Sequence, residues 1–203
     1  GLRTLLRQLA PGRNGGNGRD GEAYSYPEGG IGTIARRMAI YCGPGRVRCG
    51  AFVTRLEHGR GRVRRAEING GEVEDVEEAV GALPLDHLVK ILRPRPPLSV
   101  REAAGRIRYR NVVLAAFFLD KPSVSPAATI YVPDPAFSIA RVYEPRNRNL
   151  QMSPPGRTSL VAEIPCDRGG MTWSLADDVL VERAREDLVR LGLLEGPEVL
   201  GAC

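Results

Sequence analysis

The sequence predicts an α+β protein whose larger part is a mostly antiparallel sheet with flanking helices. Three observations carry this. Strand-like segments at 109–119, 129–132, 139–143 and 159–164 follow one another with no helical pattern between them, separated by Pro-, Asn- and Gly-rich turns. Apolar residues at helical spacing flank them on both sides. A proline run, Arg-Pro-Arg-Pro-Pro at 93–97, interrupts the chain near its middle and sets the main internal boundary.

The elements follow in order. Leu2, Leu5, Leu6 and Leu9 read as the tail of a helix, and residues 11–21, rich in Gly, Asn and Arg, as a flexible loop. Ile31, Ile34, Ala35, Met38 and Ala39 line one stripe of an amphipathic helix that ends at Pro44 and Gly45. Segments 47–57 and 62–69 form a hairpin around a tight turn at 58–61. A short strand is expected at 78–82, and Leu85, Leu88, Val89 and Leu92 then form a short helix that stops in the proline run. Beyond it come a helix around 100–107 and the four strands. Ser174 is expected to cap a long helix, with Asp177 three residues on, as in a capping box. That helix buries Leu180, Ala184, Leu188 and Leu191 and ends at Gly192. The expected domains are 1–21 (helix tail and loop), 22–97 and 98–203.

Composition narrows the chemistry. The formal charge of +5 is almost wholly arginine, since only Lys90 and Lys121 are lysines, and reads as genomic composition rather than a binding surface. Arginine clusters at 60–65, 106–110 and 146–148 have Asp and Glu interspersed and no alternating aromatics, so no nucleic-acid partner is expected. The longest apolar run, 112–119, is strand-sized and falls short of the ~20 residues of a membrane helix. Cys42, Cys49, Cys166 and Cys203 form no closely spaced pair, so no metal site is expected, and reduced thiols fit a cytoplasmic protein. His58 and His87 sit beside no partner acid, and no nucleophile elbow is present. The Gly-Leu-Arg start lacks a signal peptide and is expected of a fragment.

Gly30-Ile-Gly32-Thr-Ile-Ala35 matches the dinucleotide fingerprint G-x-G-x-x-G/A in form only. That motif needs a strand before the turn and an acidic residue ~20 positions on. Here Pro27 stands in the preceding segment and no acid lies near position 50. The loop is expected to be a turn into a helix.

A longer set of segments points elsewhere: Tyr26-Pro-Glu-Gly-Gly-Ile-Gly-Thr-Ile34 with its helix, Val47-Arg-Cys-Gly50, Val53-Thr-Arg-Leu56, Ala79-Val-Gly-Ala-Leu-Pro-Leu85, Ile107-Arg-Tyr-Arg-Asn-Val-Val113, Phe118-Leu-Asp-Lys-Pro122, Tyr143-Glu-Pro-Arg-Asn147 and Thr158-Ser-Leu-Val-Ala-Glu163. In this order they resemble the FAD-dependent amine-oxidase superfamily, in its protoporphyrinogen-oxidase and desaturase-like branch, over about residues 22–194. The resemblance implies an oxidoreductase that oxidises a C–N or C–C bond of a small apolar or amine substrate by hydride transfer to FAD. It implies a partial FAD-binding domain at 22–97 and a substrate-binding domain at 98–203. The family's N-terminal βαβ unit with its true fingerprint has no counterpart here, so the chain matches the central part of such an enzyme and should be inactive alone. Peripheral membrane association of the full-length protein is compatible with the family.

The resemblance places the backbone of Val53 beside the adenine and Pro84 at a strand end near the cofactor. Val53 reads equally as core, and Pro84 as a simple strand end. Phe117 and Tyr131, with Phe118 and Phe137, either line a hydrophobic substrate pocket or fill the sheet core. No catalytic residue stands out, as expected where the flavin carries the chemistry. The alternatives are a non-catalytic binding or scaffold domain and a basic nucleic-acid-binding protein.

Overall fold

A computed structural model describes residues 25–203. The helix tail and the loop expected in 1–21 lie outside the described residues. The described chain is α+β and divides into two units, one of residues 42–108 and one in which Tyr109–Cys203 pack with residues 25–41.

The smaller unit is built on the hairpin. Strands β1 (Val53–Gly59) and β2 (Arg62–Ile68) pair antiparallel around Arg60 and Gly61, both at positive φ, as a twisted two-residue hairpin turn requires. The hairpin forms as the sequence predicts, but 47–52 is irregular, the strand begins only at Val53, and it continues through His58 and Gly59, which the sequence places in the turn. Strand β3 (Glu72–Asp75) adds to β2. Its residues are all exposed and Glu72 and Glu74 pair with Arg48, so ion pairing and backbone hydrogen bonds, not burial, hold it. No strand forms at 78–82; these residues are irregular and exposed, Val80 almost completely. With no neighbouring strand to accept its hydrogen bonds, their apolar character does not suffice to make one. Helix α1 (Gly32–Cys42) precedes this unit, and α2 (Leu85–Ile91) leads directly into β4 (Leu92–Arg93), which runs parallel to β1. Leu56, Ala66 and Ile91 form the small core. The proline run lies between β4 and helix α3 (Leu98–Gly105), which packs on α2.

The larger unit is a five-stranded antiparallel sheet in the order β6–β7–β8–β5–β9: β5 (Arg110–Leu119), β6 (Ile130–Tyr131), β7 (Arg141–Tyr143), β8 (Thr158–Asp167) and β9 (Val199–Ala202). β5 and β8 pair over their whole length, Arg110 opposite Asp167 and Leu119 opposite Thr158. Helix α4 (Asp177–Arg190) packs Leu180, Ala184 and Leu188 against Ala115, Phe117, Leu160 and Ala162.

The expected cap of α4 is corrected. Its N-cap is Ala176; Ser174 ends a preceding 3-10 turn, where its hydroxyl donates to the Gly170 carbonyl. Asp177 and Asp178 still place negative charge at the helix N-terminus. At the other end, Gly192 at φ +69° lets Leu193 N–H reach the Leu188 carbonyl and its own N–H reach Val189, a Schellman close.

Candidate functional site

Alternation along β5 sorts its side chains between two faces. Ala115, Phe117 and Leu119 point inward to α4 and are buried, Phe117 completely. Val112, Leu114 and Phe118 point the other way and remain 48–52% exposed. Residues directly opposite across a ladder share a face. The outer face therefore continues through Pro165, Glu163 and Ser159 of β8, then Arg141 opposite Glu163, then Tyr131 opposite Arg141. It is an apolar band on β5 bordered by a polar cluster on β6–β8.

That cluster opens into a depression of about 520 Å³ lined by Tyr26, Ala128, Thr129, Tyr131, Arg141 and Arg148. Arg141 is held in a fork by Glu163, Nε donating to Oε2 at 2.8 Å and Nη2 to Oε1 at 2.6 Å. Its guanidinium pKa is raised, first by the hydrogen bond to Glu163 and then by one to Tyr131. Arg148 lies over the Tyr143 ring, 4.7 Å from its centroid, and its Nη2 donates to Thr129 Oγ1 at 3.3 Å. Burial, then the nearby Glu163 charge, push the Tyr143 phenol above its usual range.

Two connections hold this wall in place. Glu144, 1% exposed, accepts from Val124 and Ser125 N–H and from Thr158 Oγ1 at 2.6 Å, and Asn147 Nδ2 donates to Glu144 and to the Ser125 and Ala127 carbonyls. Asn149 Nδ2 donates to the Pro27 carbonyl at 3.3 Å, tying the segment that carries Tyr26 to the turn that carries Arg148.

The sequence-derived candidates fall in separate places. Phe117 and Tyr131 lie on opposite faces of the sheet: Phe117 is core, Tyr131 is 72% exposed at the depression, and the outward neighbour of Phe117 is Phe118. Val53 packs its side chain against the Leu56–Ala66–Ile91 core. Because β4 meets β1 only at Leu56 and Glu57, β1 from Val53 to Arg55 has a strand on one side only among the described residues. An open strand edge that offers N–H and C=O suits a planar base such as adenine. Pro84 ends no strand; it precedes the first residue of α2, where its fixed φ of −50° suits helix entry. Lys90 pairs with Asp86 and Lys121 with Glu198. Among the described residues no three His, Cys, Asp or Glu side chains gather as a metal site would need, and no helix is long and apolar enough to cross a membrane.

The glycine loop is a turn into α1. Residues 25–31 form no strand, Gly29 and Gly30 take positive φ, and the Thr33 hydroxyl donates to the Gly30 carbonyl. A Cβ on Gly30 would meet Met152 Sδ at 3.2 Å, so close packing accounts for this glycine, and the loop does not fit a pyrophosphate. The sequence assigns Arg141 no role, and it marks Tyr26 only as the first residue of the Tyr26–Ile34 segment and Arg148 only as part of the arginine cluster at 146–148. The Tyr143-Glu-Pro-Arg-Asn147 segment points to the same neighbourhood.

The comparisons with known proteins agree on one fold. A family model described as flavin containing amine oxidoreductase matches residues 7–200. Reduced UDP-galactopyranose mutase superposes with a TM-score of 0.74 at 15% identity, covering 100% of this chain and 43% of that one. Wild-type putrescine oxidase bound to putrescine gives 0.62 at 18%, covering 86% and 38%. A protein assigned as protoporphyrinogen oxidase from Exiguobacterium sp. 255-15 gives 0.65 at 18%, covering 87% and 39%. At these identities the likeness is one of fold, and the chain spans about two fifths of the length of the structures it matches. No curated protein matches the sequence.

Proposed function

The chain belongs to the flavin containing amine oxidoreductase family, and on that premise we propose that it supplies the substrate-holding sheet of an FAD-dependent oxidoreductase. The enzyme oxidises a C–N or C–C bond of a largely apolar substrate. The observation that carries the reading is the outer face of the five-stranded sheet, where Val112, Leu114 and Phe118 stand half exposed in a row. An apolar patch bordered by polar residues on a soluble sheet is characteristic of a binding surface.

FAD, when bound, supplies the hydride acceptor. The chain's own residues bind, orient and keep water away. The outer face of β5 excludes water from the substrate body. The Arg141–Glu163 fork fixes the polar end of that face, since a bidentate pair restricts both side chains at once. On the cofactor side, the open edge of β1 at Val53 is what this chain offers the adenine, and the glycine loop at 29–32 takes no part. The hairpin unit then belongs to the FAD domain and the five-stranded sheet to the substrate domain.

The test is spectroscopic and kinetic. The full-length enzyme that contains this chain should carry a flavin absorbing near about 450 nm, bleached by its substrate. Leu114→Asp should raise KM while leaving the flavin spectrum intact. A protein that takes up no flavin under any reconstitution condition overturns the reading.

A further inference from the structure

Arg141 and Arg148 share one depression but not one electrostatic situation. The charge of Arg141 is matched by Glu163, which takes two of its donors. Arg148 has no carboxylate partner among the described residues. It is half-buried, and its recorded partners are the neutral Thr129 hydroxyl and the face of Tyr143. Those two contacts hold the guanidinium flat while leaving most of its five donors unspent. Tyr26 and Tyr131 line the same depression, with Tyr131 mostly exposed, and offer ring faces and hydroxyls. The half-exposed apolar row of β5 lies on the same sheet face, beyond Glu163.

We propose that this depression is an anion subsite in which Arg148 binds a phosphate or carboxylate of the substrate, whose ring or apolar body lies against Tyr26 and Tyr131. The proposal rests on the outer sheet face being the substrate surface, and it narrows the substrate class to anionic amphipathic molecules. A preformed, partly desolvated guanidinium favours a planar or tetrahedral oxyanion and repels an ammonium group, so a simple diamine is disfavoured here.

The experiment titrates the purified chain with four probes: phenyl phosphate, benzoate, benzyl alcohol and benzylamine. At least one anion should bind about tenfold or more tightly than the alcohol and the amine. Whichever anion is stronger tells phosphate from carboxylate. Arg148→Gln should erase that preference and its salt dependence, while Arg148→Lys, which keeps the charge, should retain part of it. Thermal melts of both variants show that the fold persists. Benzylamine binding as tightly as the anions, full anion binding by Arg148→Gln, or no binding of any probe overturns the proposal. Because the titrations need no flavin, equal binding of all four probes removes the anion subsite and leaves the substrate face standing. Selective anion binding by a protein that never takes up flavin does the reverse.

Discussion

Replacing Glu144 with alanine should destabilise the larger unit more than any surface change near the depression. The carboxylate is 1% exposed and serves as acceptor for the Val124 and Ser125 amides, the Thr158 hydroxyl and the Asn147 amide. Alanine leaves the part-buried Val124 and Ser125 N–H groups without this acceptor, each costing about 1–3 kcal/mol, and strands the Thr158 hydroxyl as well. With the hydroxyl counted alike the sum, about 3–9 kcal/mol, is a large part of a typical domain's total stability. Glutamine should cost only about 1–2 kcal/mol. Its amide can take the Oε1 place, where the Thr158 hydroxyl turns to accept from it, while the remaining oxygen serves Val124 and Ser125. Urea unfolding reads the difference as a shift in midpoint at constant slope. An alanine variant within about 1 kcal/mol of wild type, or a glutamine variant as unstable as alanine, refutes the reasoning. The same clamp places Thr129 and Arg148, so Glu144→Ala should also weaken binding of small probes at the depression without any residue there being changed.

Phe117→Ala should cost about 3–5 kcal/mol and Phe118→Ala under about 1 kcal/mol in thermal or urea unfolding, because only the first opens a core cavity; equal costs would mean that the two faces are misassigned. Gly32→Ala should be neutral or stabilising by up to about 1 kcal/mol, since Gly32 is helical and a Cβ there meets nothing within 4 Å, whereas Gly30→Ala should lose about 1–2 kcal/mol to its φ of +86° and to Met152. A true nucleotide loop would instead lose flavin affinity at both positions. The Glu198 carboxyl is pushed up by burial but drawn lower still by its hydrogen bond to Lys121, the Glu195 backbone and the Lys121 charge, so its net pKa is lowered from 4.5. A lowered carboxylate pKa adds stability that is present above the ordinary value and is lost as pH falls through the folded-state value. Lys121→Met should therefore flatten the fall in stability below about pH 4.5. An unchanged acid profile would sink that account.

Local pattern alone sufficed for much of this protein. Period-3.6 apolar spacing marks α1, α2 and α4, period-2 runs bounded by turn residues mark β1, β2, β5 and β8, and the ordered motifs from Tyr26 to Glu163 carry the family. These signals are written in consecutive residues, so a chain read without partners displays them. The elements that went unread, β3, β4 and β9, are short and borrow their stability from the strand beside them. The strand expected at 78–82 failed because it found no such neighbour. The site was decided the same way. Nothing in the order Phe117-Phe118 says which ring faces α4, and nothing in the interval from Arg141 to Glu163 or from Thr129 to Arg148 says which cation is matched and which has no carboxylate partner among the described residues. Burial and electrostatic pairing depend on groups distant in sequence meeting in space, and only the packed sheet brings them together.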